Sequence, residues 1–108
     1  MLNQITLIGN LGRDGEVKAN GRLLDLRVAT SNKYKGKNGD WIEDTEWHSV
    51  KLWTDYAKEM AARYVKGAKV VVSGSIAYEE YNEKKQAVIK AKSVRVLSNK
   101  GGNDGSYL

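Results

Sequence analysis

The chain has 108 residues, three tryptophans, six tyrosines and no cysteine, and its formal net charge is +5 at pH 7. This length accommodates one domain with a modest core, and the missing cysteines exclude disulfides, thiol nucleophiles and cysteine-ligated zinc. No segment has the character of a signal peptide or a membrane span, so we expect a cytoplasmic protein whose positive charge suits a polyanionic partner.

The first strand is predicted at residues 5–8, where a β-branched run places Ile5 and Leu7 on one face. Three glycines follow between residues 9 and 15. Their spacing fits neither a P-loop nor a dinucleotide-binding loop, so they indicate a corner in the backbone rather than a phosphate site.

A short strand at residues 16–18 is predicted to lead into a hairpin turn at residues 20–21, where Asn-Gly is a strong turn signal. Residues 22–31 alternate between apolar and polar, which predicts a second long strand. Its inward residues are Leu24, Leu26 and Val28, and its outward residues are Asp25, Arg27 and Ala29.

Residues 32–40 form the longest polar segment and are predicted to be a loop. Lys33, Lys35 and Lys37 surround Tyr34 in this segment. The loop is either a solvated connection or a finger that closes on a bound polyanion. Its position next to the strand that follows favours binding.

The predicted third strand, residues 45–53, has two contrasting faces. Val50, Leu52 and His48 form the inner face, and the other face carries Trp47, Ser49, Lys51 and Trp53. Flat rings beside a cation on an open sheet face suit unpaired bases, which stack on the rings while the cation meets phosphate. A second core or a subunit interface would also use two tryptophans, but the lysine on the same face favours stacking.

A helix is predicted after the third strand, capped by Asp55 and ended by Gly67. Its apolar face recurs at helical spacing. The residues of that face are Ala57, Met60, Ala61, Tyr64 and Val65. Tyr64 is therefore expected in the core rather than at a binding surface.

Residues 69–78 predict a fourth strand, a charged tip at residues 79–85 turns the chain back, and residues 86–97 predict a fifth. Residues 98–108 contain three glycines and no periodicity, so we expect a flexible C-terminal tail there. Five strands with one α-helix between strands 3 and 4 predict an all-β, five-stranded Greek-key barrel of the OB-fold type over residues 1–97. Such a fold often binds oligonucleotides, but the fold alone does not define the function.

Four short segments, in this order and at close spacing, resemble the bacterial-type single-stranded DNA-binding proteins of bacteria, phages, plasmids and mitochondria. They are IGNLGRD at 8–14, ATS at 29–31, TEWH at 45–48 and YVKG at 64–67. The likeness runs from about residue 3 to residue 97. It implies a homotetramer without a cofactor that binds and protects single-stranded DNA during replication, recombination and repair, independently of sequence and without catalysis.

The resemblance also implies roles for individual residues. The stacking aromatics of the family fall on Tyr34, Trp47, Trp53 and Tyr81, two of which are tyrosine where tryptophan is common. His48 matches a position near the subunit interface. Phosphate contacts are expected from seven lysines: Lys33, Lys35, Lys37, Lys51, Lys66, Lys84 and Lys85.

The chain departs from the family pattern in two respects. Ser49, Ala77 and Glu79 stand at positions that are often basic, and Glu80 and Glu83 add negative charge at the same tip. Bacterial members also end in a long linker and an acidic tip that recruits replication and repair proteins. That acidic tip is absent from these 108 residues. Either it was removed from a longer protein, or the chain is a short phage- or plasmid-type member that recruits its partners differently. Replication and repair proteins stay candidate partners, but recruitment through an acidic tip is not claimed.

Three other functions fit parts of the sequence. A primosome or recombination accessory with the same fold would bind DNA weakly and a protein partner tightly. A structural module would bury Trp47 and Trp53 against another subunit. An enzyme fits least, because one histidine, no cysteine and no clustered carboxylates leave little for a hydrolytic site, and no catalytic residue or metal ligand is predicted.

Overall fold

A computed structural model describes residues 1–99, which fold into an all-β barrel with one short helix. The elements are β1 (Ile5–Leu11), β2 (Glu16–Lys18), β3 (Leu23–Lys35), β4 (Trp41–Trp53), α1 (Ala57–Ala61), β5 (Lys69–Tyr81) and β6 (Lys84–Ser98). The brief strand predicted at residues 16–18 is β2. The helix lies between β4 and β5, which are the third and fourth long strands, as predicted.

Five strands close the barrel in the order β1-β5-β6-β4-β3, and β3 pairs back to β1. Closure rests on the antiparallel pairs Asn10 with Ala29 and Leu11 with Val28. β6 runs parallel to β4, and the other neighbouring strands are antiparallel. β2 pairs with β3 beyond the segment paired with β1. This topology confirms the predicted OB-fold barrel.

The core lies inside the barrel, and alternate residues of β3, β4 and β5 form most of it together with residues of β1, β6, the helix and the segment that follows the helix. The largest fully buried side chains are Leu24, Leu26, Val28, Val50, Val70 and Val72. The predicted inward residues of the second strand are therefore confirmed. Asp25 alternates outward as expected, but only 8% of it is exposed, because the cations of β2 and of the preceding corner cover it.

The first part of the predicted loop at residues 32–40 is strand instead. β3 continues to Lys35 and β4 begins at Trp41, so only residues 36–40 connect them. The backbone N–H of Gly36 donates to the carbonyl of Asp40 at 2.8 Å and closes this connection. Among the described residues, no third strand pairs with 31–35 or with 41–45, and we call this two-stranded extension the β3–β4 ribbon.

The predicted tip at residues 79–85 is a second ribbon, in which β5 runs to Tyr81 and β6 begins at Lys84. Asn82 and Glu83 form a two-residue turn with φ values of 52° and 65°. Positive φ at both central residues defines a type I′ turn, whose twist matches that of the flanking strands. We call residues 78–87 the β5–β6 ribbon.

The helix is shorter than predicted, and Asp55 does not cap it. Tyr56 is the residue before the first turn, it makes no side-chain capping bond, and the helix ends after Ala61. Tyr64 lies beyond the end of the helix, and its carbonyl accepts a hydrogen bond from the backbone N–H of Gly15 at 2.7 Å. Its hydroxyl donates to the carbonyl of Val94 at 2.9 Å. The side chain is buried, so its predicted place in the core is confirmed.

β6 ends at Ser98, one residue beyond the predicted domain boundary, and the predicted tail from residue 100 onward lies outside the described residues. The one helix of the described part is too short to cross a membrane. Within residues 1–99, the histidine and the acidic side chains form no group of three that could hold a metal ion.

Candidate nucleic-acid interface

The exterior of the barrel at β4 carries two exposed tryptophans. Trp47 is 52% exposed and Trp53 is 63% exposed, whereas Val50 and Leu52 on the alternate face lie in the core. The predicted division of this strand into two faces is therefore confirmed. We call the exterior surface of β4 and its neighbouring strands the outer face.

Trp47 is positioned by Gly12, in the glycine-rich corner that follows β1. A Cβ atom added to Gly12 would collide with Cζ3 of the Trp47 ring. The Gly12 backbone N–H donates to the carbonyl of Arg27 at 2.9 Å, which holds the corner against β3. The sequence predicts only a bend at this corner. The structure shows that the corner also packs against the Trp47 ring.

Tyr81 lies on the same outer face, at the end of β5. It is exposed and opposes Lys84 across the β5–β6 ribbon. Two positions earlier in β5, Glu79 Oε1 contacts Lys51 Nζ of β4 at 2.8 Å. This ion pair connects the outer faces of β4 and β5 across β6, so one surface holds the predicted stacking residues of both strands.

Tyr34 is exposed but points to the other side of the β3–β4 ribbon. It opposes Ile42, whereas Lys35 opposes Trp41. Because directly opposed residues share a face and neighbours alternate, Tyr34 lies opposite the side that carries the tryptophans. The structure thus brings three of the four predicted aromatics together and places Tyr34 apart from them.

The seven predicted phosphate-binding lysines are spread over both ribbons, one loop and the barrel part of β4. Lys33 and Lys35 alternate to the Trp41 side of the β3–β4 ribbon, and Lys37 lies in its connecting turn. Their side chains form no ion pair with another described residue. These three cations are therefore available to an external anion.

The remaining lysines differ in availability. Lys84 lies beside the outer face through its pairing with Tyr81, and Lys85 alternates to the other side. Lys66 is exposed in the connection between α1 and β5. Lys51 is already bound to Glu79, so its charge is partly neutralised before any phosphate arrives.

A second internal charge cluster covers the outer face of β3. Asp25 contacts Lys18 Nζ at 2.9 Å and Arg13 Nη2 at 3.7 Å. The hydrogen bond to Asp25, followed by the negative charge of Asp25, raises the pKa of Lys18. Lys18 and Arg13 are thereby committed to a carboxylate, which reduces their attraction for phosphate.

His48 is half-buried on the inward side of β4, where its Nε2 lies 2.9 Å from Oγ1 of Thr30. A small cavity of about 210 Å³ next to it is lined by Ile5 and Ile76, among other residues. An imidazole at the rim of an apolar cavity suits a packing role. The interface role predicted for His48 stays a prediction.

The sequence of this chain matches a known protein family over nearly all of the described residues. Residues 2–99 match the profile of the Single-strand binding protein family. The chain belongs to this family.

Named members of the single-strand binding protein family align over most of the chain. The single-stranded DNA-binding protein of Neisseria meningitidis serogroup A is 35% identical over 96% of this chain and 64% of its own length. The Rickettsia felis protein of the same name is 34% identical over 76% of this chain and 57% of its own length. The chain thus spans about three fifths of these curated relatives.

Solved structures of the single-strand binding protein family have the same fold. A deletion mutant of the single-stranded DNA binding protein from Thermus aquaticus superposes with a TM-score of 0.73 at 27% identity, over 93% of this chain and 52% of that chain. A Plasmodium falciparum SSB in complex with ssDNA gives 0.76 at 22% identity, over 91% and 96%. The family resemblance expected from the four sequence segments is therefore confirmed.

Two residues of the surface were missed at the sequence level. Gly12 was assigned to the corner without a contact, because nothing local links it to Trp47. Trp41 was placed after a loop, although it continues the odd-numbered alternation of Trp47 and Trp53. Extending that alternation backward through the polar residues would have found it.

Proposed function

We propose that this chain binds single-stranded DNA without sequence preference and without catalysis. The observation that carries the proposal is the outer face, where Trp47 and Trp53 of β4 and Tyr81 of β5 are exposed on the two strands that flank β6. Membership of the single-strand binding protein family supports the same ligand. A ring reads only the flat face of a base, which every base has, so stacking gives affinity without sequence readout.

The mechanism combines stacking with phosphate neutralisation. Bases stack on the exposed rings, each worth on the order of 1–3 kcal/mol. Lysines near the ribbons neutralise phosphates and release counterions, so affinity falls by roughly 0.7 log unit per log unit of salt for each phosphate contact. Because Lys51, Lys18 and Arg13 are bound internally, we expect fewer phosphate contacts than the cation count suggests.

The proposal extends to the assembly and its role. We propose a homotetramer with His48 near a subunit interface, acting during replication, recombination and repair. Tyr34 and the seven lysines stay predicted contacts of the DNA. The predicted cytoplasmic location likewise stays a prediction.

Tryptophan fluorescence titrated with poly-dT at low and high salt, with duplex DNA alongside, tests the ligand. We expect strong quenching by the single strand only, partly reversed by salt, because stacking persists when phosphate contacts weaken. Absence of quenching by either DNA would contradict the proposal and favour the alternative that the tryptophans pack against another protein subunit.

A further inference from the structure

Trp41 is an exposed ring with a cation on it, outside the set of aromatics that the family resemblance assigns. It is 67% exposed at the start of β4. Lys35 opposes it directly across the β3–β4 ribbon, with Nζ 5.7 Å from the centroid of the ring. This distance is within the range of a cation–π contact. A lysine over one side of the ring leaves the other side open to a base.

The three tryptophans of the chain share one strand and one alternation. Trp41, Trp47 and Trp53 follow one another at six-residue intervals along β4. An even interval returns a side chain to the same face, and six residues of strand span about 20 Å. The rings therefore form a regularly spaced series that continues the outer face of the barrel onto the ribbon.

The two sides of the β3–β4 ribbon differ in charge. Lys33, Lys35 and Glu43 alternate to the side of Trp41, so two lysines and one carboxylate give that side a formal charge of +1. Asp44 alternates to the side of Tyr34, and Glu46 follows on the same side where the ribbon joins the barrel. A polyanion is attracted to the first side and repelled by the second. The ribbon thus presents its tryptophan, rather than its tyrosine, where a phosphate backbone is favoured.

An open concavity of about 680 Å³ lies beside this ring, lined by Lys33, Trp41, Ile42 and Glu43. Trp41 and Ile42 offer apolar surface for a base, and Lys33 offers a cation for a phosphate. The carboxylate of Glu43 also lines the concavity. A base against the ring with its phosphate toward Lys33 fits this arrangement.

We infer that Trp41, backed by Lys35, is a base-stacking position for single-stranded DNA that extends the binding surface from the barrel onto the β3–β4 ribbon. This inference rests on the proposed function of the outer face. It names a contact residue that is separate from Trp47, Trp53 and Tyr81.

The first test compares Trp41→Ala, Trp41→Phe and Tyr34→Ala for affinity to poly-dT, with Trp53→Ala as the reference for a barrel contact. We expect Trp41→Ala to weaken binding at least about five-fold, Trp41→Phe to restore most of the loss, and Tyr34→Ala to cost less than Trp41→Ala. All are surface changes, and circular dichroism verifies the fold of each variant.

The second test makes Trp41 its own reporter. The double variant Trp47→Phe with Trp53→Phe leaves Trp41 as the sole tryptophan, while a ring remains at both barrel positions. We expect its emission to be quenched when poly-dT saturates the protein. Quenching by a single strand but not by duplex DNA supports direct contact with an unpaired base.

The outcomes separate this inference from the proposed function. If Trp41→Ala binds like the parent, or the sole tryptophan is not quenched, while Trp53→Ala still weakens binding, the Trp41 contact is wrong and the proposed function stands. If Tyr34→Ala costs as much as Trp41→Ala, the argument from the charge of the two sides is overturned. If the parent does not bind poly-dT, the proposed function itself is wrong.

Discussion

At the scale of single residues, exposure of a large ring distinguishes a contact residue from a core residue. Trp53 is 63% exposed on the outer face, and Tyr78 is similarly exposed on the other side of the β5–β6 ribbon. Removing the Trp53 ring should weaken DNA binding, whereas removing the Tyr78 ring should leave DNA binding unchanged. Both rings are exposed, so replacing either one removes little buried surface, and both variants should fold.

We expect Trp53→Ala to weaken poly-dT binding by about 1–3 kcal/mol, the cost of one lost stacking contact. Tyr78→Ala is the matched control, because it removes an equally exposed ring from the opposite side. Fluorescence titration of both variants checks the prediction. Equal affinities of the two variants would contradict a directional binding surface.

Gly12 tests whether the position of a ring matters as well as its presence. Its φ lies outside the left-handed region, so alanine is compatible with the backbone, but the new Cβ would collide with the Trp47 ring. We expect Gly12→Ala to displace this ring and weaken DNA binding by up to the value of one stacking contact.

A double-mutant cycle identifies the cause of that loss. In a Trp47→Ala background there is no ring to displace, so Gly12→Ala should then have little further effect on poly-dT affinity. An equal loss in both backgrounds would mean that Gly12→Ala acts on the fold or on another contact.

At the scale of elements, the strands extend further than the sequence pattern indicated. Alternation of apolar and polar residues predicted the barrel segments of β3 and β4 because one side faces the core there. In the β3–β4 ribbon both sides face water, so the two apolar residues Trp41 and Ile42 are adjacent and exposed on opposite sides, and the rest is mostly polar without apolar–polar alternation. Alternation of apolar and polar residues reveals a strand only where one side is buried, and neither side of a solvated two-stranded ribbon is buried.

Contacts between segments that are distant in the chain could not be predicted from the sequence either. The pair Lys51–Glu79 joins residues 28 positions apart, and the contact of Gly12 with Trp47 depends on barrel closure. The faces of β4 and the burial of Tyr64 were predictable, because they depend on local alternation or spacing. The order of strands and helix predicted the OB-fold, and strand alternation predicted the face of Trp47 and Trp53, whereas Tyr81 was assigned only through the family resemblance.

The β5–β6 ribbon carries a testable strain at its tip. Glu83 has φ of 65°, a conformation that costs a non-glycine residue roughly 1–2 kcal/mol and that glycine adopts readily. We expect Glu83→Gly to raise stability by about 1 kcal/mol, seen as a higher Tm, and to strengthen poly-dT binding by removing a negative charge.

Glu83→Gln separates the two effects. It removes the charge but keeps a side chain at positive φ, so binding should strengthen while the Tm stays near that of the parent. A Tm for Glu83→Gly below that of Glu83→Gln would contradict the strain argument.

At the scale of the whole molecule, the distribution of charge matters more than the total of +5. Lys18, Arg13 and Lys51 are paired with carboxylates on or beside the outer face. The unpaired lysines of the β3–β4 ribbon lie away from these pairs. Phosphate binding should therefore be concentrated at the ribbons, and base stacking should dominate over the barrel.

Assembly is the other property of the whole molecule that can be tested. We expect His48→Ala to weaken the proposed homotetramer, because it removes a half-buried ring and its 2.9 Å contact with Thr30. Sedimentation velocity over a range of protein concentrations measures the effect. Thr30→Val, which removes the hydrogen bond but keeps the ring, is the control. Unchanged sedimentation of His48→Ala would contradict an interface role for this residue.

β3 and β4 run without interruption from the barrel core to the end of the ribbon. The strands that carry Leu24 and Val50 inside the barrel also carry Tyr34 and Trp41 at the far end, through thirteen consecutive residue pairs. The ribbon is thus hydrogen-bonded continuously with the barrel part of the same two strands. DNA bound on the ribbon would stabilise strand pairing that continues into the core, so amide hydrogen exchange should slow at the ribbon and inside the barrel together when poly-dT is added.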